Sequence, residues 1–351
     1  MSLCEVMNEL KSWSAEGRAC GIAILYQAQH SSPRPVGACL AIADDGRMAG
    51  AISMGCVESD IRENLLDVLQ NNQPPRLLHY GAADDMLLEI GLTCGGEIDV
   101  LIARFDPAHP VWPFLHEKAA GFPCALFLVI QGPYAGELRC LSADGSEAGV
   151  FTDPRFESIV QQETQELFKH KRSQCFKNEQ GEKLFAQYFA PPTPLAIVGG
   201  NPIAMALCDL AARIGFDVTI IDPRRSVAPS EYYPAARAVI HEWPEAAMQT
   251  AGVDDRWCIA VLSHDQKLDV PAIETALLRN CRYIGLLGSK GTQQQRRDEL
   301  LAHGIPEERL NTIYGPIGFK GIGAITSAEI AVSILAEIVA ALHHAPLSVR
   351  S

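Results

Sequence analysis

Apolar residues open the chain at helical spacing, with Leu3, Val6, Met7, Leu10 and Trp13 on one face, and this predicts an amphipathic first helix. The period then drops to two. Across 21–52, apolar and polar positions alternate around turn signals, predicting a β-hairpin whose strands are joined by a loop over 30–37. A helix is expected over 58–69 and a strand over 98–103. Two apolar stretches, 123–132 and 137–151, read as further strands, and a polar helix is expected over 157–170. Pro191-Pro192-Thr193-Pro194 reads as a stiff linker. The chain is therefore expected to divide into an α+β domain over 1–190 and a second domain over 194–351.

The second domain opens with the most organised stretch of the sequence, 194–224. Leu195, Ala196, Ile197 and Val198 run into Gly199-Gly200-Asn201-Pro202, a helical pattern continues to Ile214, Gly215 stops it, and a β-branched run closes on Asp222. This is a βαβ opening with an acidic residue at the end of its second strand, as in dinucleotide-binding folds. Further strands are expected over 237–241, 257–263 and 283–289, with a helix over 270–279. Such alternation predicts an α/β, Rossmann-like, doubly wound parallel sheet. Ligands in such sheets bind beyond the carboxyl ends of the strands. Three groups fall there: Gly199 with Asp222, Ser263-His264-Asp265, and Gly288-Ser289-Lys290. The glycine fingerprint is interrupted, because Asn201 stands where a second glycine would let backbone approach a pyrophosphate. An NAD(P) site is thus only weakly supported. Asp222 ahead of Pro223 can equally start a turn, and His264 can cap a helix. The last helix is expected to open on a capping box, Thr326-Ser327-Ala328-Glu329, and its stripe of Ile330, Ile334, Ile338 and Leu342 suits core packing or a homodimer contact.

Composition narrows the function classes. The 351 residues carry a formal charge of −13, which argues against a general nucleic-acid surface or an anionic membrane face. No run reaches the roughly 20 apolar residues of a membrane span, and the N-terminus does not have the form of a signal peptide. A cytoplasmic location is expected. Eleven cysteines lack the spacing of a disulfide framework. Most of them, including Cys4, Cys124, Cys208 and Cys258, sit inside apolar patterns and read as small buried hydrophobes.

Two cysteines are set differently. Cys56 lies in Gly55-Cys56-Val57-Glu58 at the expected start of a helix, where backbone N–H groups and the helix dipole favour thiolate and anion chemistry. Cys94 lies in Cys94-Gly95-Gly96-Glu97 ahead of a strand, with glycines that give backbone access to something bulky beside the sulfur. Neither turn supplies four zinc ligands. Between them and the first strand, His30-Ser31-Ser32-Pro33-Arg34-Pro35 presents hydroxyls and one guanidinium.

These residues together resemble the XdhC/CoxI family, the xanthine dehydrogenase accessory factors. The resemblance rests on Ser32-Pro33-Arg34, Gly55-Cys56-Val57-Glu58 and Cys94-Gly95-Gly96 in the first domain. In the second it rests on Ile221-Asp222-Pro223-Arg224, Ser263-His264-Asp265, Gly285-Leu286-Leu287-Gly288-Ser289 and Gly315-Pro316-Ile317-Gly318. It implies a cofactor chaperone, not a catalyst: a chain that binds molybdenum cofactor (molybdopterin), shields it during sulfuration and delivers it to an apo molybdenum hydroxylase, with a cysteine desulfurase as a further partner. Soft thiolates suit the metal, and N–H groups or arginine suit the phosphate. Cys56 and Cys94 are accordingly expected near the metal. Arg34, Glu58, Gly95 and Gly96 are expected around the cofactor, with Gly199, Asp222, His264, Ser289 and Lys290 forming the second crevice. The alternative is an NAD(P)-dependent oxidoreductase or a nucleotide sensor built on that crevice.

Overall fold

The computed structural model describes residues 3–29, 32, 34–53, 55–81, 96–177 and 181–345. The chain forms two compact units, Met1–Pro191 and Pro192–Ser351.

The first unit is built on two antiparallel five-stranded sheets. One contains β1 (Cys20–Gln29), β2 (Cys39–Ala43), β3 (Met48–Gly50), β4 (Arg76–Tyr80) and β5 (Glu97–Arg104), in the order β3-β2-β1-β5-β4. The other contains β6 (Cys124–Val129), β7 (Leu138–Ser142), β8 (Glu147–Ala148), β9 (Gln174–Lys177) and β10 (Lys183–Phe189), in the order β8-β7-β6-β10-β9. Helix Leu3–Ala15 presents the expected stripe, and Leu3, Val6, Met7, Leu10 and Trp13 enter a core that also takes Leu126 and Leu128 from the second sheet. Helix Glu58–Gln70 covers the opposite face of the first sheet, packing Ile61, Leu65 and Val68 with Ala23, Leu40 and Val100. Strands β9 and β10 have no signal in the sequence pattern. β10 is central, between β6 and β9, and five of its seven positions are buried. Covered on both faces, it lacks the alternation that marks a half-exposed strand.

The second unit is an all-parallel sheet of β11 (Thr193–Val198), β12 (Phe216–Ile221), β13 (Ala238–Ile240), β14 (Cys258–Val261) and β15 (Tyr283–Leu286). Its order β13-β12-β11-β14-β15 is the doubly wound arrangement. One face packs Leu195, Ile197 and Ile220 against helices Pro202–Arg213 and Ser327–Leu342, and the other packs Val198, Ile259 and Val261 against helix Gln266–Leu278. The expected linker is shorter than its prolines suggest, because Thr193 and Pro194 already pair with Phe216 and Asp217. The capping box at Thr326 and Glu329 is present. Helix Lys290–Ala302 is likewise silent in the hydrophobic pattern. It buries only Arg296 and Leu300, so it carries no apolar stripe to betray it. Among the described residues no helix is long and apolar enough to cross a membrane.

Candidate functional site

Register decides which loops of the first unit share an end of the sheet. Cys39 opposes Ile24, Gly50 opposes Leu40, Glu97 opposes Gln29 and Tyr80 opposes Ile98. The connection leaving β1, the turn leaving β3, and the points where the chain leaves β4 and enters β5 therefore lie at one end. That end carries Arg34, the Cys56 turn and Gly96. Cys94 and Gly95 lie outside the described residues.

The Cys56 turn is shaped by a carboxylate. Glu58 accepts from the Ile52 and Ser53 N–H groups through Oε1 at 3.1 and 2.6 Å, and from the Ser53 hydroxyl and Gly55 N–H through Oε2 at 2.7 and 2.9 Å. Ser53, wholly buried, in turn accepts from the Cys56 N–H through its Oγ at 3.1 Å. Burial pushes the Glu58 carboxyl up, but the Ser53 hydroxyl and the surrounding N–H groups outweigh it and leave its pKa below the usual carboxylate value. Glu58 thus spends its acceptor capacity on its own loop. The helix behind it has no side-chain cap. Cys56 is half-buried at that helix start, and Gly55, at φ +109°, has open space where a side chain would project. Arg34 is half-buried, and among the described residues its guanidinium has no ion-pair partner, while its carbonyl accepts from the Ser32 hydroxyl at 2.8 Å.

The carboxyl ends of the parallel sheet are more fully self-satisfied. Asp222 is completely buried and its oxygens are taken by the Gly200 N–H at 2.8 Å, the Arg224 N–H at 2.9 Å and the Arg224 guanidinium at 2.8 and 2.9 Å. Desolvation raises its pKa, yet these donors more than reverse that and hold it low. Asn201 caps the helix, accepting from Ala204 N–H at 2.9 Å while its amide donates to the Leu262 carbonyl at 2.8 Å. The damaged fingerprint is therefore a helix start with an Asn cap and Pro202 in the first turn, a pairing legible in the sequence. Gly199 sits at φ +100°, and a Cβ there would run into the Ser263 backbone. That close approach is by itself a sufficient reason for glycine here.

His264 is exposed and held at φ +60°, and the cap of the following helix is its neighbour Asp265. Ser263 hydrogen-bonds the buried Asp269, which pairs with the buried Arg296. Ser289 caps helix Lys290–Ala302 by accepting from Thr292 N–H at 3.2 Å, and Lys290 is exposed on its first turn. Ser289 and Lys290 follow the edge strand β15, whereas Gly199, Asp222 and Ser263 cluster at the centre. Sequence reasoning omitted Ser53, Arg224, Asp269, Arg296 and Lys320 from the sites. Only Arg224 had a local signal, its place two residues after the strand-end aspartate.

Comparison with known proteins fits this architecture. The XdhC Rossmann domain model matches 195–338 and the XdhC and CoxI family model matches 13–81. A Bacillus subtilis protein described as a probable subunit of xanthine dehydrogenase is 27% identical over 325 residues, 91% of this chain and 92% of its own length. The Escherichia coli molybdenum cofactor insertion chaperone PaoD is 26% identical over 330 residues, 93% of this chain and 85% of its own. A crystal structure described as a xanthine dehydrogenase from Bacillus halodurans superposes with a TM-score of 0.79 at 23% identity, covering 100% of this chain and 98% of that one, and so shares the fold. The two family models together match more than half of the residues, one in each unit, and the chain belongs to the XdhC and CoxI family.

Proposed function

We propose that this chain is a molybdenum cofactor chaperone that holds the cofactor at the loop end of the first antiparallel sheet, assists its sulfuration and delivers it to an apo molybdenum hydroxylase of the xanthine dehydrogenase type. The observation that carries the reading is the shared sheet end. Arg34, the half-buried Cys56 and the entry to β5 at Gly96 meet there by register. A soft thiolate can reach a metal, and a guanidinium without a carboxylate partner can take a phosphate. The open space at Gly55 leaves room beside the sulfur. Among the described residues no group of three His, Cys, Asp or Glu forms a metal cage, and a metal already chelated by its pterin dithiolene needs none. Relatives that span nearly the whole chain, one described as part of a hydroxylase and one as an insertion chaperone, support the same reading.

The bound cofactor supplies the metal and its dithiolene. The chain contributes the rest: Glu58 fixes the turn that carries Cys56, Arg34 offers a cation, and Cys94, two residues before Gly96 in sequence, is the second proposed thiolate. A cysteine desulfurase as sulfur source and a homodimeric assembly complete the proposal. The oxidoreductase alternative is disfavoured by Asp222, whose carboxylate is consumed by Gly200 and Arg224 and has no capacity left for a ribose.

Metal and pterin analysis of protein purified from a cofactor-producing cell tests the function. Wild type is expected to carry molybdenum and pterin, with Cys56→Ala and Cys94→Ala each carrying less and activating the client hydroxylase poorly. Equal cofactor content and equal activation in the double variant would overturn the assignment.

A further inference from the structure

The second unit holds a cavity of about 240 Å³ between helix Lys290–Ala302 and the segment that runs from Leu310 to Lys320. It is smaller than the ~300–1,000 Å³ of typical small-molecule sites, which suits a ligand fragment better than a whole dinucleotide. In a chain with 42 acidic and 29 basic residues, its lining includes Lys290, Arg296, Arg297 and Lys320 and, among the described residues, not one carboxylate. Gln293 and Gln294 add amides, over a floor that includes Leu286 and Leu300.

The cations are not equally committed. Arg297 donates to Glu307 and Asn311 at 2.8 and 3.0 Å. Arg296, its side chain 4% exposed, pairs with Asp269 and donates from one terminal nitrogen to the Thr292 carbonyl at 3.2 Å. Its buried Nε has no hydrogen-bond partner, which is costly unless something else satisfies it. The ammonium groups of Lys290 and Lys320 have no ion-pair or hydrogen-bond partner among the described residues. The nearby carboxylate of Asp298 is engaged by Gln294 at 2.7 Å. The lining therefore keeps two positive charges, on the exposed Lys290 and Lys320, with no carboxylate partner among the described residues, beside the buried Arg296 and Leu300.

The walls are fixed in advance. Gly318 N–H donates to the buried Glu337 at 3.0 Å and Ser333 Oγ donates to the Phe319 carbonyl at 3.0 Å, which anchors the segment carrying Lys320. Gln293 donates to the Leu286 carbonyl at 2.9 Å, which ties the helix to the strand end. Lys290 stands on the first turn of that helix, at the positive end of its dipole.

We propose that this cavity is an oxyanion site that takes the phosphate or diphosphate group of a phosphorylated small molecule. The proposal stands apart from the chaperone reading, because it rests only on the second unit. Its test is calorimetric titration of pyrophosphate into the full-length protein at low ionic strength. Saturable one-site binding is expected, weakened about tenfold or more in Lys290→Ala/Lys320→Ala, unchanged in Lys169→Ala on the other unit, and weakened by added salt. Absence of saturable binding, or equal affinity in the double variant with its thermal midpoint preserved, would overturn it. Competition then names the source. Displacement of pyrophosphate by ADP supports a nucleotide, displacement by molybdopterin supports the cofactor's phosphate, and displacement by neither supports free inorganic diphosphate.

Discussion

Each unit carries a glycine turn that leads into a helix, and the two turns reach opposite outcomes with similar parts. Both are organised by one carboxylate that accepts backbone N–H groups: Glu58 from within its own turn in the first unit, and Asp222, at the neighbouring strand end, from Gly200 of the turn and from Arg224 in the second. In the second unit the neighbours complete the circuit. Arg224 neutralises Asp222, Asn201 caps the helix, and the Ser263 backbone fills the space beside Gly199. In the first unit the helix has no side-chain cap, Gly55 faces open space and Cys56 is half-buried. A glycine turn therefore reports how tightly backbone must pass backbone. Whether it can also receive a ligand depends on which donors remain unspent.

Matched substitutions at the two turns sharpen this difference most. Gly199→Ala is expected to destabilise the second unit by about 3–5 kcal/mol, since it adds a positive-φ penalty to a collision with Ser263. Gly55→Ala bears only the backbone penalty, about 1–2 kcal/mol. Hydrogen exchange resolved to each unit measures both, and equal costs would erase the distinction between a closed and an open turn.

Next in size, Glu58→Ala is expected to cost about 2–4 kcal/mol in the first unit, because it strips the acceptor from four donors, three of them on the wholly buried Ile52–Ser53 pair. The sign with pH follows from the lowered carboxyl pKa. The stabilisation is present above the unfolded value near 4.5 and is lost as pH falls below it toward the folded value. Acid titration of the first unit's stability should therefore steepen below about pH 4.5 in wild type and flatten in Glu58→Gln.

Smaller again, Asn201→Ala should cost about 1 kcal/mol through the lost cap. Asn201→Gly, which repairs the fingerprint, should still bind no NAD, because Asp222 stays occupied; tight NAD binding by that variant would break the comparison from the other side. The smallest stability effect is expected for Cys56→Ser, within about 0.5 kcal/mol by denaturation, while its cofactor content falls. A large loss of stability there would make Cys56 structural.

Much of the fold was legible because burial imposes periodicity. The stripe of Leu3, Val6 and Leu10, the βαβ unit closing on Asp222, and the capping box at Thr326 and Glu329 are local patterns that tertiary contacts reinforce. Helix Lys290–Ala302 was hidden because its one buried polar contact, Arg296 with Asp269, replaces an apolar face. β10 was hidden because it is covered on both sides.

The sequence by itself determined the α/β class and the residue types available for chemistry, which follow from local pattern and composition, and its motifs carried the resemblance to the family. Only the tertiary structure decided which groups are already spent. Arg224, two residues past Asp222, hints locally at its partner, but nothing local says that Asp222 also takes the N–H of the distant Gly200, or that Glu58 folds its own turn and leaves Cys56 half-buried. Only the sheet register brings the Arg34 loop, the Cys56 turn and Gly96 to one end, and only packing sets Lys320 across a cavity from Lys290. The physical reason is the same in each case: hydrogen bonds and charge pairs are satisfied by proximity in space, and proximity between distant residues is written in the fold.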